Sequence, residues 1–99
     1  MNRFLITVAS QKGQTICNPP RVEIGPGDIV QWICQDADLA LDFGNDTPFT
    51  STEVWRAPRG QKTREAIVKP GQASGTIFQP TISLDGTMVA KSLGDFIVR

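Results

Sequence analysis

Residues 19–43 read PPRVEIGPGDIVQWICQDADLALDF, and this stretch decides the fold class. Val22 and Ile24 alternate with Arg21 and Glu23, the period-two signature of a half-buried strand. Gly25-Pro26-Gly27-Asp28 then stops the strand, because glycine admits positive φ and proline fixes its own. Ile29 to Cys34 resumes as a strand with Val30 and Trp32 on one face and Ile29, Gln31 and Ile33 on the other. Apolar residues on both faces place it in the interior of a sheet. Leu39, Leu41 and Phe43 alternate with Ala40 and Asp42 and predict a third strand.

The same periodicity continues outward in both directions. Arg3 to Ala9 reads as a strand with Phe4, Ile6 and Val8 on one face. Ser10 to Gln14 reads as a turn centred on Lys12-Gly13, and Thr15-Ile16-Cys17 as a short extended piece that Asn18-Pro19-Pro20 interrupts. Gly44 to Gly60 is rich in turn formers and predicts irregular chain with one helical turn around Ser51 to Trp55. Arg64 to Val68 and Gly75 to Gln79 read as strands on either side of a Lys69-Pro70-Gly71-Gln72 turn. Asp85-Gly86 is a hairpin signal between Thr81–Leu84 and Thr87–Ala90, and Gly94 to Val98 predicts a closing strand. No apolar period near 3.6 is sustained and no internal repeat is present. The pattern predicts an all-β Greek-key sandwich of seven to eight strands, one domain over residues 1–99.

Composition narrows function by exclusion. The chain has 99 residues, 39% hydrophobic and 20% charged, which is the make-up of a soluble globular protein. Ten Lys and Arg balance ten Asp and Glu, so no overall field draws the chain to nucleic acid or to an anionic membrane, and neither is expected as a partner. No segment reaches the roughly 20 apolar residues of a membrane span, and the start Met1-Asn2-Arg3-Phe4-Leu5-Ile6 lacks the form of a secretion leader. A cytoplasmic location follows from the sequence as it stands, and a periplasmic or secreted one if a leader has been removed. Histidine and tyrosine are both absent, and no serine, threonine or cysteine sits beside an evident base, so no enzyme is expected.

The spacing Pro19-x-x-Val22-x-Ile24-x-x-Gly27-Asp28-x-Val30-x-Trp32 resembles the cupredoxin family, which includes plastocyanin and pseudoazurin, in the stretch leading toward their first copper ligand. The Pro70-Gly71 turn and the ending Leu93-Gly94-Asp95-Phe96-Ile97-Val98 are similar to the closing half of that family. An immunoglobulin-like sandwich is the alternative topology. The resemblance implies a copper site of two imidazoles, one thiolate and a weak axial thioether. It also implies that every ligand has been replaced here. Leu39 stands at the position resembling the first histidine, the segment near Gln79-Pro80-Thr81-Ile82 replaces the family's Cys-x-x-His, and Ser92 stands at the place of the axial methionine. No cofactor is expected.

Three further groups of residues are candidates for chemistry. Cys17 and Cys34, with Met88, are the soft donors, and the two cysteines are either small buried hydrophobes or a bridge. Asp36, Asp38, Asp42, Asn45 and Asp46 offer hard oxygen donors to Ca²⁺ or, in the plainer reading, a solvated loop. Trp55, Arg56, Arg59, Lys62 and Arg64 form a candidate interaction loop. The function expected is that of a non-catalytic, copper-free interaction or structural module that meets another protein or a copy of itself. A metal-binding (Ca or Cu) or electron-transfer protein with a non-standard site is the alternative.

Overall fold

Side chains alternate between interior and solvent along the strands of the structure, a computed structural model that describes residues 2–11, 14–91 and 95–99. The strands are β1 (Arg3–Gln11), β2 (Gln14–Asn18), β3 (Arg21–Ile24), β4 (Ile29–Cys34), β5 (Leu39–Asp42), β6 (Trp55–Ala57), β7 (Ala66–Ile67), β8 (Ile77–Phe78), β9 (Thr81–Leu84), β10 (Thr87–Lys91) and β11 (Asp95–Val98). They form sheets ordered β2-β1-β4-β7, β10-β9-β5-β6 and β3-β11-β8. The count of eleven among the described residues exceeds the seven to eight expected, because the short extended segments on either side of the prolines all enter ladders as separate strands and β6 is added to them. Pro19-Pro20 separates β2 from β3, and Gln79-Pro80 separates β8 from β9. No helix among the described residues is long and apolar enough to cross a membrane.

β4 lies inside its sheet as its two apolar faces require, parallel to β1 and antiparallel to β7. The helical turn expected at Ser51 to Trp55 is absent. Glu53 N instead donates to Ser51 Oγ at 3.1 Å, and Trp55 enters β6 opposite Leu41. Trp55 and Ala57 face inward and Arg56 outward, so pairing with β5 overrides the local turn formers. The strand expected over Arg64 to Val68 is in the ladder only at Ala66–Ile67, with Val68 bridged to Phe49. Lys12-Gly13 and the start of the closing strand at Gly94 lie outside the described residues.

Trp32 is 1% exposed and sits at the centre of the core. Its ring centroid lies 6.2 Å from Phe43, 5.8 Å from Phe49, 6.0 Å from Trp55 and 5.8 Å from Phe96. These partners come from different sheets and from the long 43–54 connection, so one indole ties the layers together. Most of the pairs are edge-to-face, the arrangement that the ring quadrupole favours.

The buried carboxylate of Asp28 fixes the turn before β4. It accepts hydrogen bonds from Asn2 N (3.0 Å) and Gly25 N (2.9 Å), and Arg99 Nη2 lies 2.7 Å from Oδ2. The Arg99 side chain reaches it across Gly25, where a Cβ would stand 2.7 Å from Arg99 Nη2, so a side chain at that position would displace the guanidinium. Burial is the largest single influence on Asp28 and raises its pKa. The two backbone donors and the charge and hydrogen bond of Arg99 together outweigh it, and hold the carboxyl below its ordinary 3.8. A carboxyl depressed by folding contributes stability that is fully present above its unfolded pKa and is lost as pH falls through its folded one. Asp28→Asn is therefore expected to cost about 1.5–3 kcal/mol at neutral pH and to flatten the fall in stability below about pH 4. Denaturant unfolding at a series of pH values checks this, and parallel pH profiles for the two proteins would contradict it.

Candidate functional site

The position that the resemblance gives to a first copper ligand, Leu39, opens β5 and is 3% exposed. The strand register places it opposite Ala57 on one side and Leu84 on the other, and these are 3% and 7% exposed. The three form an apolar row across the sheet. The register also shows what lies beside Leu39. Ile82 faces Leu41 and Thr81 faces Asp42, so the segment Gln79 to Ile82 does not lie beside Leu39; Leu84 does. Directly after Leu84 the chain turns back through Asp85 (φ 51°) and Gly86 (φ 82°) into β10, a hairpin that needs positive φ at both positions. Ser92 lies outside the described residues.

The soft donors do not converge. Cys17 and Cys34 both pair with Val8, one on β2 and the other on β4, so Val8 stands between them. Two strand spacings separate their Cα atoms by about 9.6 Å, beyond the roughly 7 Å that a disulfide bridges. Both are buried free thiols, which decides between the two readings of the sequence, and burial pushes the Cys17 thiol up to about 11. Met88 stands on β10 opposite Ser83 and is 68% exposed.

The acidic candidates are also dispersed. Asp38 directly precedes β5 and Asp42 closes it, about 13 Å apart along extended chain, whereas Ca²⁺ gathers its oxygens within about 2.6 Å. Asp38 Oδ1 accepts from Arg59 N, and Asp42 Oδ1 from Gly44 N. No group of three His, Cys, Asp or Glu able to hold a metal ion occurs among the described residues.

The cationic segment is split by the fold. Trp55 is 1% exposed and belongs to the aromatic core, so it is not a surface anchor. Its Nε1 has no acceptor among the described residues. Arg64 lies over the Trp55 ring at 4.7 Å and donates to the carbonyls of Val54 (3.0 Å) and Glu53 (3.3 Å), which uses its guanidinium to lash the 51–54 chain down. Arg59 reaches Asp85 at 3.8 Å. Lys62 bridges to Ile33 at the margin of the β2-β1-β4-β7 sheet, while Arg56 points outward from β6 on the opposite layer.

Two surfaces were not legible in the sequence. The outer face of the β2-β1-β4-β7 sheet carries Leu5, Ile16 and Ile67, each more than 40% exposed. The outer face of β5, β6 and β9 carries a cavity of about 530 Å³, lined among others by Ala40, Asp42, Arg56, Thr81 and Ser83. The signal for the second was the row of small residues at outward positions, Ala40 and Ser83, which leaves the sheet face hollow.

No protein-family model matches the chain, and comparison with curated proteins finds no match. Comparison with solved structures does. A pseudoazurin from Sinorhizobium meliloti superposes with a TM-score of 0.54 at 17% identity, covering 100% of this chain and 75% of that one. Amicyanin from Paracoccus versutus gives 0.54 at 12%, covering 96% and 81%. A chain of a heme-copper terminal oxidase dimer gives 0.58 at 13%, covering 99% and 65%. The chain has the cupredoxin fold. A cupredoxin copper centre takes imidazole, thiolate and thioether donors. Among the described residues this cupredoxin-like chain offers none of them at the site, where Leu39 and Leu84 present only hydrocarbon, and these residues do not fit the metal. Native protein is expected to show two thiols that resist a soluble thiol reagent and react fully on unfolding. A peptide map of air-oxidised monomer with Cys17 joined to Cys34 would contradict the placement of Val8 between them.

Proposed function

We propose that this chain is a non-catalytic, copper-free interaction module on a cupredoxin frame rather than an electron carrier. The observation that carries the reading is the apolar row Ala57–Leu39–Leu84, which fills the sheet at the position resembling the first ligand. A hydrocarbon row cannot exchange an electron with a partner, but it continues the core to that end of the sandwich and stabilises the frame without metal. The absence of histidine and tyrosine and the burial of both thiols support a role without catalysis.

A contact with protein is supported by the outer face of the β2-β1-β4-β7 sheet. On that face Ile29 pairs with Ile67, Thr7 with Ile33, Ala9 with Ile16 and Leu5 with Gln31, so the exposed Leu5, Ile16 and Ile67 share one face with polar residues among them. Its margin carries the Arg3–Glu65 ion pair (2.6 Å) and Lys62. Exposed apolar side chains within a charged rim are the usual anatomy of a protein contact. Purified protein incubated with stoichiometric Cu²⁺ is expected to develop no intense visible thiolate-to-copper absorption. A strong blue colour would return the chain to the electron carriers and overturn the reading.

A further inference from the structure

We propose that the cavity on the outer face of β5, β6 and β9 binds a small zwitterion, its carboxylate on Arg56 and its ammonium on Asp42. The cavity lies on the opposite layer from the face that carries Leu5, Ile16 and Ile67 and does not depend on it.

The register builds the site. Ala40 pairs with Arg56 on one side and Ser83 on the other, and Asp42 pairs with Thr81 one step along the same outward face. The methyl of Ala40 is too short to fill the space between its neighbours, so the sheet is hollow at the centre of the row. At about 530 Å³ the hollow falls within the roughly 300–1,000 Å³ of small-molecule sites.

Its walls carry opposite charges that do not neutralise each other. Arg56 makes no ion pair with any described carboxylate, whereas Arg3, Arg21, Arg59, Arg64 and Arg99 all do. Asp42 receives one hydrogen bond, from Gly44 N at 2.7 Å on Oδ1, and none on its other oxygen among the described residues. Arg56 and Asp42 are diagonal neighbours across the β5/β6 pair, with Cα atoms roughly 7–8 Å apart. A cation and an anion that line one cavity without pairing with each other are complementary to a ligand bearing both charges. The hydroxyls of Thr81 and Ser83 line the facing wall, where each can donate to a peptide carbonyl or share the carboxylate.

Glycylglycine is the probe, titrated to about 20 mM against ¹⁵N-labelled protein because a solvent-open site of this kind binds in the millimolar range. The proposal expects saturable shifts centred on the amides of Ala40, Asp42, Arg56 and Ser83. It expects Arg56→Gln and Asp42→Asn each to weaken binding about tenfold, since each removes one charge-assisted contact from an exposed, foldable position. Ala40→Leu, which fills the floor and leaves both charges in place, is expected to abolish it. N-acetylglycine and glycinamide, each carrying one of the two charges, are expected to bind at least fivefold more weakly by the same logic. Absence of saturable shifts, shifts centred elsewhere, unchanged binding in Arg56→Gln or Ala40→Leu, or equal binding of N-acetylglycine would each overturn the assignment.

Discussion

The packing of four aromatic rings around the indole of Trp32 is the interaction on which the rest of the structure depends. Trp32 comes from β4, Trp55 from β6 and Phe96 from β11, one strand of each sheet, while Phe43 and Phe49 come from the chain between β5 and β6. The three sheets and the long connection are thereby fastened to one point. Rings at these distances and tilts add about 0.5–1.5 kcal/mol per pair to the area they bury, which makes the cluster large against the few kcal/mol that stabilise a domain of this size. Other features follow from it. Trp55 must face inward, so Arg56 must face outward, and Arg64 is free to lie over the Trp55 ring and pin the 51–54 segment.

At one end of the sandwich this core runs on through Leu39 and Leu84. A metal centre contributes stability by joining remote segments through one ion. Here the joining is done by apolar contact and by a tight hairpin at Asp85-Gly86, which brings β10 alongside β9. The opposite end is closed by charge instead. Asp28 gathers Asn2, Gly25 and Arg99, so that the first and last strands meet at one buried carboxylate.

Much of this was legible in the sequence wherever the information is local. Period-two alternation located β1, β3, β4 and β5, the Asp85-Gly86 hairpin signal located β9 and β10, and the two apolar faces of 29–34 placed β4 inside a sheet. What depends on partners distant in the chain was not legible. β6 is flanked by Pro48, Pro58 and Gly60 and is a strand only because β5 pairs with it. Counting along the chain set the lost thiolate near Gln79–Ile82, whereas the residue facing Leu39 is found only from the β5/β9 register. The run Arg56, Arg59, Lys62, Arg64 reads as one basic patch, yet the turn at Pro58–Gly60 and the burial of Trp55 send its members to different surfaces. Asp28 and Arg99 are 71 residues apart, and nothing in either neighbourhood announces the other.

The central claim is that an aromatic and aliphatic core, with no metal, holds this fold together. Guanidinium unfolding in the presence of a strong chelator, comparing the parent with Trp32→Ala, tests it most directly. The account predicts a parent whose midpoint the chelator leaves unchanged and a loss of about 3–5 kcal/mol on removing the indole. A parent that unfolds when chelated, or a variant within about 0.5 kcal/mol of it, would contradict the account.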